Sequence, residues 1–211
     1  MTSPTFITVL GAGSWGTALA IVLAQNGHTV RLWARDAGLA ARSEQDRINA
    51  RYLPDCTFPP SLTITSDLDT ALQRANQIWL VLPTKALAEF LSAHAAKFPP
   101  QAIIVNASKG FEQGTGRQIS QMVSALFSSQ AFVAVSGPTF AHEVATGKPS
   151  AITVASQDTG AAEVIAATLR NATLRTYPTH DVIGVEIAGG LKNVLAIAAG
   201  VADGFGFGAN A

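Results

Sequence analysis

Lys192 stands in Gly189-Gly190-Leu191-Lys192-Asn193, in the middle of an otherwise apolar run. On helical spacing it shares a face with Ala188, Gly189, Leu195, Ala196 and Ala199. A lysine among small apolar groups loses hydration, which favours its neutral form. Such a group suits proton transfer to or from a substrate oxygen. The plainer alternative is a lysine that snorkels to solvent at a helix–domain contact. Two glycines in a helix interior cost about 1 kcal/mol each relative to alanine. Something should require close backbone approach there.

Three further segments fall where strands should end: Pro83-Thr84, Asn106-Ala107-Ser108-Lys109-Gly110, and Ser136-Gly137-Pro138-Thr139-Phe140-Ala141. Ligands in open α/β sheets sit at the carboxyl ends of strands. Lys109, followed by glycine, can reach a phosphate as a compact cation. Gly137 and Thr139 can offer a bare backbone amide and a hydroxyl. Taken singly, each is an ordinary loop residue.

Gly11-Ala12-Gly13-Ser14-Trp15-Gly16 directly follows the first apolar run and opens a helix-forming stretch. This is the dinucleotide-binding pattern in its proper context. Gly11 permits the tight turn, Gly13 lets backbone amides approach a pyrophosphate, and Gly16 lets the helix pack on the strand. The helix N-terminus adds unpaired N–H groups and partial positive charge. At the end of the second strand an acid would hold the ribose hydroxyls of NAD, and an arginine would accept the 2′-phosphate of NADP. Arg35 comes first there and Asp36 second. The expected cofactor is therefore NAD(H) or NADP(H), leaning to NADP(H).

The elements that must position these groups alternate between strand and helix, the pattern of a parallel sheet covered by helices. Strands are expected at Phe6–Leu10, Thr29–Ala34, Leu62–Thr65, Ile78–Leu82, Ile103–Asn106, Phe132–Val135, Ala151–Ala155 and Thr173–Thr176. Helices are expected at Ser14–Gln25, Asp36–Asn49, after a Ser66 cap, at Thr84–Ala96, up to Phe127 and at Thr159–Leu169. Three prolines make Arg51–Pro60 a loop. Asp181–Ala202 is a long helix of small residues with no strand after it. The alternation ends near Tyr177-Pro178, so a domain boundary is placed there, giving 1–177 and 178–211.

Val182–Ala202 is nearly long enough to span a bilayer. Glu186 and Lys192 lie inside it, and charges at mid-membrane are costly. A buried helix of a soluble protein is expected instead. The formal net charge of zero favours neither nucleic acid nor a membrane surface as partner. The N-terminus has no basic segment followed by a long apolar run, so no signal peptide is expected. The lone Cys56 fits a reducing cytosol and an inert thiol. The four histidines show no metal-ligand spacing, and a G-x-S-x-G serine elbow is absent.

Together, Gly11–Ala20, Ser108-Lys109-Gly110, Gly137-Pro138-Thr139-Phe140-Ala141 and Leu191-Lys192-Asn193-Val194 resemble the bacterial type of NAD(P)-dependent glycerol-3-phosphate dehydrogenase. The resemblance runs over the whole chain, in order. It implies an α/β, Rossmann-type, mostly parallel sheet as the NAD(P)-binding domain, followed by the first helix of an all-α substrate and dimerisation domain. It implies reduction of dihydroxyacetone phosphate to sn-glycerol 3-phosphate for phospholipid synthesis, in the cytoplasm, by a homodimer. Lys192 would transfer the proton, and Ser14, Trp15, Arg35 and Ala141 would contact the cofactor. Lys109 would touch cofactor and substrate, and Gly137 and Thr139 the substrate. Family members continue for over a hundred residues past the point matching Ala211, and that part carries an aspartate and an arginine–asparagine pair of the site. A fragment is therefore expected, with the helical domain incomplete. Two alternatives stay open: a related Rossmann dehydrogenase acting on a hydroxy acid or sugar acid, and a non-catalytic dinucleotide-binding module.

Overall fold

The computed structural model describes residues 5–208. The outermost residues of both expected domains, 1–4 and 209–211, lie outside the described residues. In chain order the elements are β1 (Phe6–Leu10), α1 (Ser14–Gln25), β2 (Thr29–Trp33), α2 (Ala37–Asp46), β3 (Ile48–Asn49), β4 (Leu53–Thr57), β5 (Leu62–Thr65) and α3 (Leu68–Leu72). There follow β6 (Gln77–Leu80), α4 (Thr84–His94), β7 (Ile103–Asn106), α5 (Ile119–Leu126) and β8 (Phe132–Ser136). The last are α6 (Ala141–Ala145), β9 (Ser150–Ala155), α7 (Thr159–Leu169), β10 (Leu174–Thr179) and α8 (Val182–Gly204).

The described strands form an eight-stranded sheet in the order β10-β9-β8-β7-β6-β1-β2-β5. All neighbours run parallel except β8 and β9. The Rossmann-type, mostly parallel sheet is thus observed. The chain leaves β1 first toward β2 and later returns to β6 on its other side. That reversal opens a crevice at the carboxyl end of β1, where open α/β sheets bind ligands.

Side chains alternate across the sheet with the strand period of two. Ile7 and Val9 of β1, Trp79 of β6 and Val105 of β7 pack in one core beneath α1 and α7. Leu10, Ile78, Leu80 and Ile104 pack in the other, with α4 and α5. Both faces are covered, which is why these strands read as continuous apolar runs.

Several local expectations need correction. The helix expected at Asp36–Asn49 stops at Asp46, because Arg47 turns left-handed (φ 55°) and ends it. Asp36 is its cap, accepting the Leu39 N–H at 3.0 Å. Ile48-Asn49 instead pairs antiparallel with β4, so the expected loop at Arg51–Pro60 holds a strand. Pro54 is compatible with it because a two-stranded ribbon has edges free of ladder bonds. Asp67, rather than Ser66, caps α3. A short helix, α6, follows the Thr139-Phe140 turn, where none was expected. Strand β10 runs through Tyr177-Pro178 to Thr179, pairing with Val154 and Ala155.

The last helix departs most from expectation. By length and composition α8 could cross a membrane, yet its first turns pack on the sheet through Val182, Glu186 and Gly189. Beyond them it is open. Val194, Leu195, Ile197 and Val201 are exposed among the described residues, so the burial expected of an apolar helix is not met within them.

Candidate functional site

The β1–α1 junction is shaped from within the protein. Gly11 has φ +121°, and a side chain there would strike the Val81 carbonyl oxygen. One at Gly16 would strike the Gly11 carbonyl oxygen. Both glycines are thus required by backbone packing. Gly13 differs. Its φ of −75° suits any residue, and a side chain there would meet no protein atom within 4 Å. Neither conformation nor packing demands glycine, and what remains is space beside the N-terminus of α1. No side chain caps that helix end and no acid lies in its first turn. A diphosphate fits there, accepting the free N–H groups of the first turn. Among the described residues no cluster of His, Cys, Asp and Glu could hold a metal ion.

The junction is also pinned from outside. Asn49 is buried in β3 and donates its amide to the Ala12 carbonyl at 2.9 Å and the Thr17 hydroxyl at 2.8 Å. Ser14 donates its hydroxyl to the Tyr52 carbonyl at 2.9 Å. Sequence reasoning missed Asn49, because nothing local distinguishes it from any asparagine before a turn.

Lys109 joins this junction to the substrate side. Its loop is set by Ser108, whose N–H bonds to Asn106 Oδ1 at 3.0 Å and whose hydroxyl bonds to the Leu80 and Leu82 carbonyls at 3.1 and 2.8 Å. The Trp15 indole donates to the Ala107 carbonyl at 3.2 Å. Lys109 Nζ lies 5.6 Å over the Trp15 ring and donates to the Gly137 carbonyl at 3.2 Å. Burial holds the Lys109 amine below the ordinary lysine range, and the positive charge of Lys192 pushes it the same way. The two lysines, distant in sequence, are thus near enough for their charges to interact.

A cleft of about 480 Å³ opens beside them, lined by Gly137, Thr139, Phe140, Gly189, Lys192 and Asn193 among others. Gly137 has a packing reason of its own, since a side chain there would come within 2.6 Å of the Ala151 carbonyl oxygen in β9. The Thr139 hydroxyl lies 3.4 Å from the Gly137 carbonyl, within its own turn. Ala141 opens α6 and packs against the core that holds α1. The two glycines of α8 are explained as expected. A side chain at Gly189 would come within 2.8 Å of the Ser136 hydroxyl, and one at Gly190 within 2.6 Å of the Phe111 ring. The desolvation expected around Lys192 is not supplied by the described residues, however: its side chain is exposed, because α8 is open at that level.

Glu186 fastens α8 to α5. Only 7% exposed, it accepts the Ser120 N–H at 3.0 Å and the Ser120 hydroxyl at the N-terminus of α5. Burial raises its carboxyl above the usual range, and these hydrogen bonds oppose that. An acid inside an apolar helix was the available signal, since a buried carboxylate needs partners.

Arg35 stands apart from the cleft, exposed at the carboxyl end of β2. Asp36 beside it is occupied by the α2 cap. The Leu39 N–H, with smaller help from Gly38, Arg42 and Arg51, holds its carboxyl below the usual range.

Residues 6–162 match the family model described as the NAD-dependent glycerol-3-phosphate dehydrogenase N-terminus, and residues 181–211 match that of its C-terminus. Over 206 residues the chain is 48% identical to glycerol-3-phosphate dehydrogenase (NAD(P)+) of Thioalkalivibrio sulfidiphilus, covering 97% of this chain and 62% of the relative. Its namesake in Escherichia coli is 46% identical over 207 residues, with 97% and 61% covered. A glycerol-3-phosphate dehydrogenase crystal structure from Coxiella burnetii superposes with a TM-score of 0.91 at 35% identity, over 98% of this chain and 63% of that one. The chain thus spans about three-fifths of the length of these relatives. With the matched models covering β1–β9 and α8, the chain belongs to the NAD-dependent glycerol-3-phosphate dehydrogenase family.

Proposed function

We propose that the protein reduces dihydroxyacetone phosphate to sn-glycerol 3-phosphate at the expense of NAD(P)H. The observation that carries this reading is the cleft that Lys192 lines, bordered by Gly137, to whose carbonyl Lys109 donates, next to a glycine turn with room for a diphosphate. Two ammonium groups near one cleft favour the entry of an anion, and a phosphorylated ketone brings one. The names of the relatives agree with this substrate.

The nicotinamide, when bound, supplies the hydride to the C2 carbonyl. The residues of the chain do the rest. The Gly13 turn and the first-turn N–H groups of α1 hold the pyrophosphate, with Ser14, Trp15 and Ala141 beside the cofactor. Lys109, held between Trp15 and the Gly137 carbonyl, orients the phosphate end and borders the cofactor. Gly137 and Thr139 line the substrate's path. Lys192 donates its proton to the C2 oxygen, and its charge stabilises that oxygen as negative charge grows. Since Lys192 is exposed among the described residues, bound substrate and the covering of α8 would supply its dry surroundings. The boundary between the NAD(P)-binding unit and the helical unit is put at 177/178, within the last residues of β10. Arg35, with Asp36 engaged elsewhere, favours NADP(H).

The same reading includes a homodimer in the cytoplasm, acting in phospholipid synthesis. The lone buried thiol of Cys56 supports the cytoplasmic reading.

Trp15 makes the central claim measurable. Titration of the chain with NADPH should change its tryptophan fluorescence. Dihydroxyacetone phosphate should tighten NADPH binding, whereas phosphate-free dihydroxyacetone should not. Equal effects of the two ketones, or a response to 2-hydroxy acids instead, would overturn the substrate assignment.

A further inference from the structure

The β3–β4 hairpin has no role in the mechanism above, yet it is locked to the cofactor loop. Asn49 fixes its first strand to Ala12 and Thr17, and the Tyr52 carbonyl fixes its turn to Ser14. Arg51 sits on that turn, with its guanidinium 5.2 Å over the Tyr52 ring and 3.9 Å from Asp36 Oδ2. Ser14 marks the pyrophosphate end of the site and Asp36 the end of β2. Arg51 therefore spans the interval in which the adenosine ribose of a dinucleotide lies.

The charges there are unbalanced. Arg35 precedes Asp36 in the chain, Arg51 approaches it from the hairpin, and Arg42 approaches it from α2. Two guanidinium groups thus approach one carboxylate, with Arg35 next to it in the chain, and its Oδ1 already accepts the Leu39 N–H. A ribose hydroxyl offers such a cluster little. A phosphate dianion offers charge-assisted, bidentate hydrogen bonds to each guanidinium it reaches.

Resting on the NADP(H) reading, we infer that Arg51 is a second specificity residue, which leaves Asp36 to bind the adenosine 2′-phosphate together with Arg35. Tyr52 supports the guanidinium from below, and Asn49 keeps the hairpin at the distance this contact needs. The tie through Ser14 carries any shift of the turn to the pyrophosphate loop as well.

The test is equilibrium titration of the 211-residue chain and its Arg51→Ala, Arg51→Lys and Arg35→Ala variants with NADPH and NADH, using 2′,5′-ADP and 5′-AMP as displacing probes. Arg51→Ala should lower the ratio of NADPH to NADH affinity roughly tenfold, the scale of one charge-assisted contact. Affinity for 2′,5′-ADP should fall in step relative to 5′-AMP, and Arg51→Lys should restore part of both. An unchanged ratio in Arg51→Ala, with a collapsed one in Arg35→Ala, would overturn the role of Arg51 and leave the NADP(H) reading standing. A wild-type chain that binds both cofactors equally, and ignores the 2′-phosphate of the probe, would overturn both.

Discussion

Two glycine-rich stretches border the site, and they are held in different ways. At Gly11 and Gly16 the protein's own backbone oxygens stand where a side chain would go. Asn49 then clamps the turn through two buried hydrogen bonds. At Gly189 and Gly190 only side chains stand in the way, the Ser136 hydroxyl and the Phe111 ring. Beyond them α8 is largely exposed. The first stretch is a rigid cradle formed before any ligand arrives. The second is a joint, where a helix is brought to a sheet by a few side chains and one buried carboxylate. Binding and chemistry are thus assigned to parts of unequal stiffness: the cofactor end is pre-organised, and the placement of the reactive lysine depends on how α8 is docked.

The largest effect should come at the joint. Lys192→Met, in the protein extended to the length of its relatives, should cut turnover by roughly 10²–10⁴-fold, the usual worth of a positioned proton donor. NADPH binding should persist, because the cradle is untouched. Steady-state rates beside a fluorescence titration would decide it, and a near wild-type rate would remove Lys192 from the chemistry.

The cradle itself separates packing from binding. Gly16→Ala forces a methyl group onto a backbone oxygen and should destabilise the fold by about 3 kcal/mol, the upper end for overpacking. Gly13→Ala faces open space and should cost less than about 1 kcal/mol as a poorer helix cap. The same change should weaken NADPH binding, because the methyl group fills the place of the pyrophosphate. Urea unfolding and titration of both variants check this. Equal losses of stability would break the contrast between a packed and an open glycine.

The smallest effect concerns the fastening of α8. Burial raises the Glu186 carboxyl above its ordinary value near 4.5. A group raised on folding contributes its stability fully below the unfolded value and loses it as pH rises through the folded value. Wild type should therefore lose stability through this carboxyl as pH climbs above the ordinary carboxyl value of about 4.5, and Glu186→Gln should lose less. Urea midpoints across that range would show it. Parallel curves for the two proteins would mean that the joint does not sense this charge.

What could be read beforehand follows the range of the interactions. The β1–α1 turn needs only contiguous residues: a short apolar run, three glycines at fixed offsets and a helix-forming stretch. Strand and helix limits were legible wherever a turn residue closed them, as at Asn26-Gly27. Asp36–Asn49 was not, because the left-handed Arg47 and the pairing of Ile48-Asn49 with β4 are not written in any local periodicity. Asn49 therefore looked like the last residue of a helix, Arg51 like a loop residue, and Glu186 like a stray charge.

By itself the sequence determined the alternation of strands and helices, the glycine turn with room for a diphosphate, and the presence of lysines at a strand end and in an apolar helix. Each is a property of residue type and near-neighbour spacing. Only the tertiary structure decided that Lys109 bonds to Gly137 at the cleft that Lys192, 83 positions further along the chain, also lines, that Glu186 finds Ser120, and that a hairpin carries Arg51 to the end of β2. Those are contacts between elements, and they exist only after the sheet order has brought together segments that no local pattern relates.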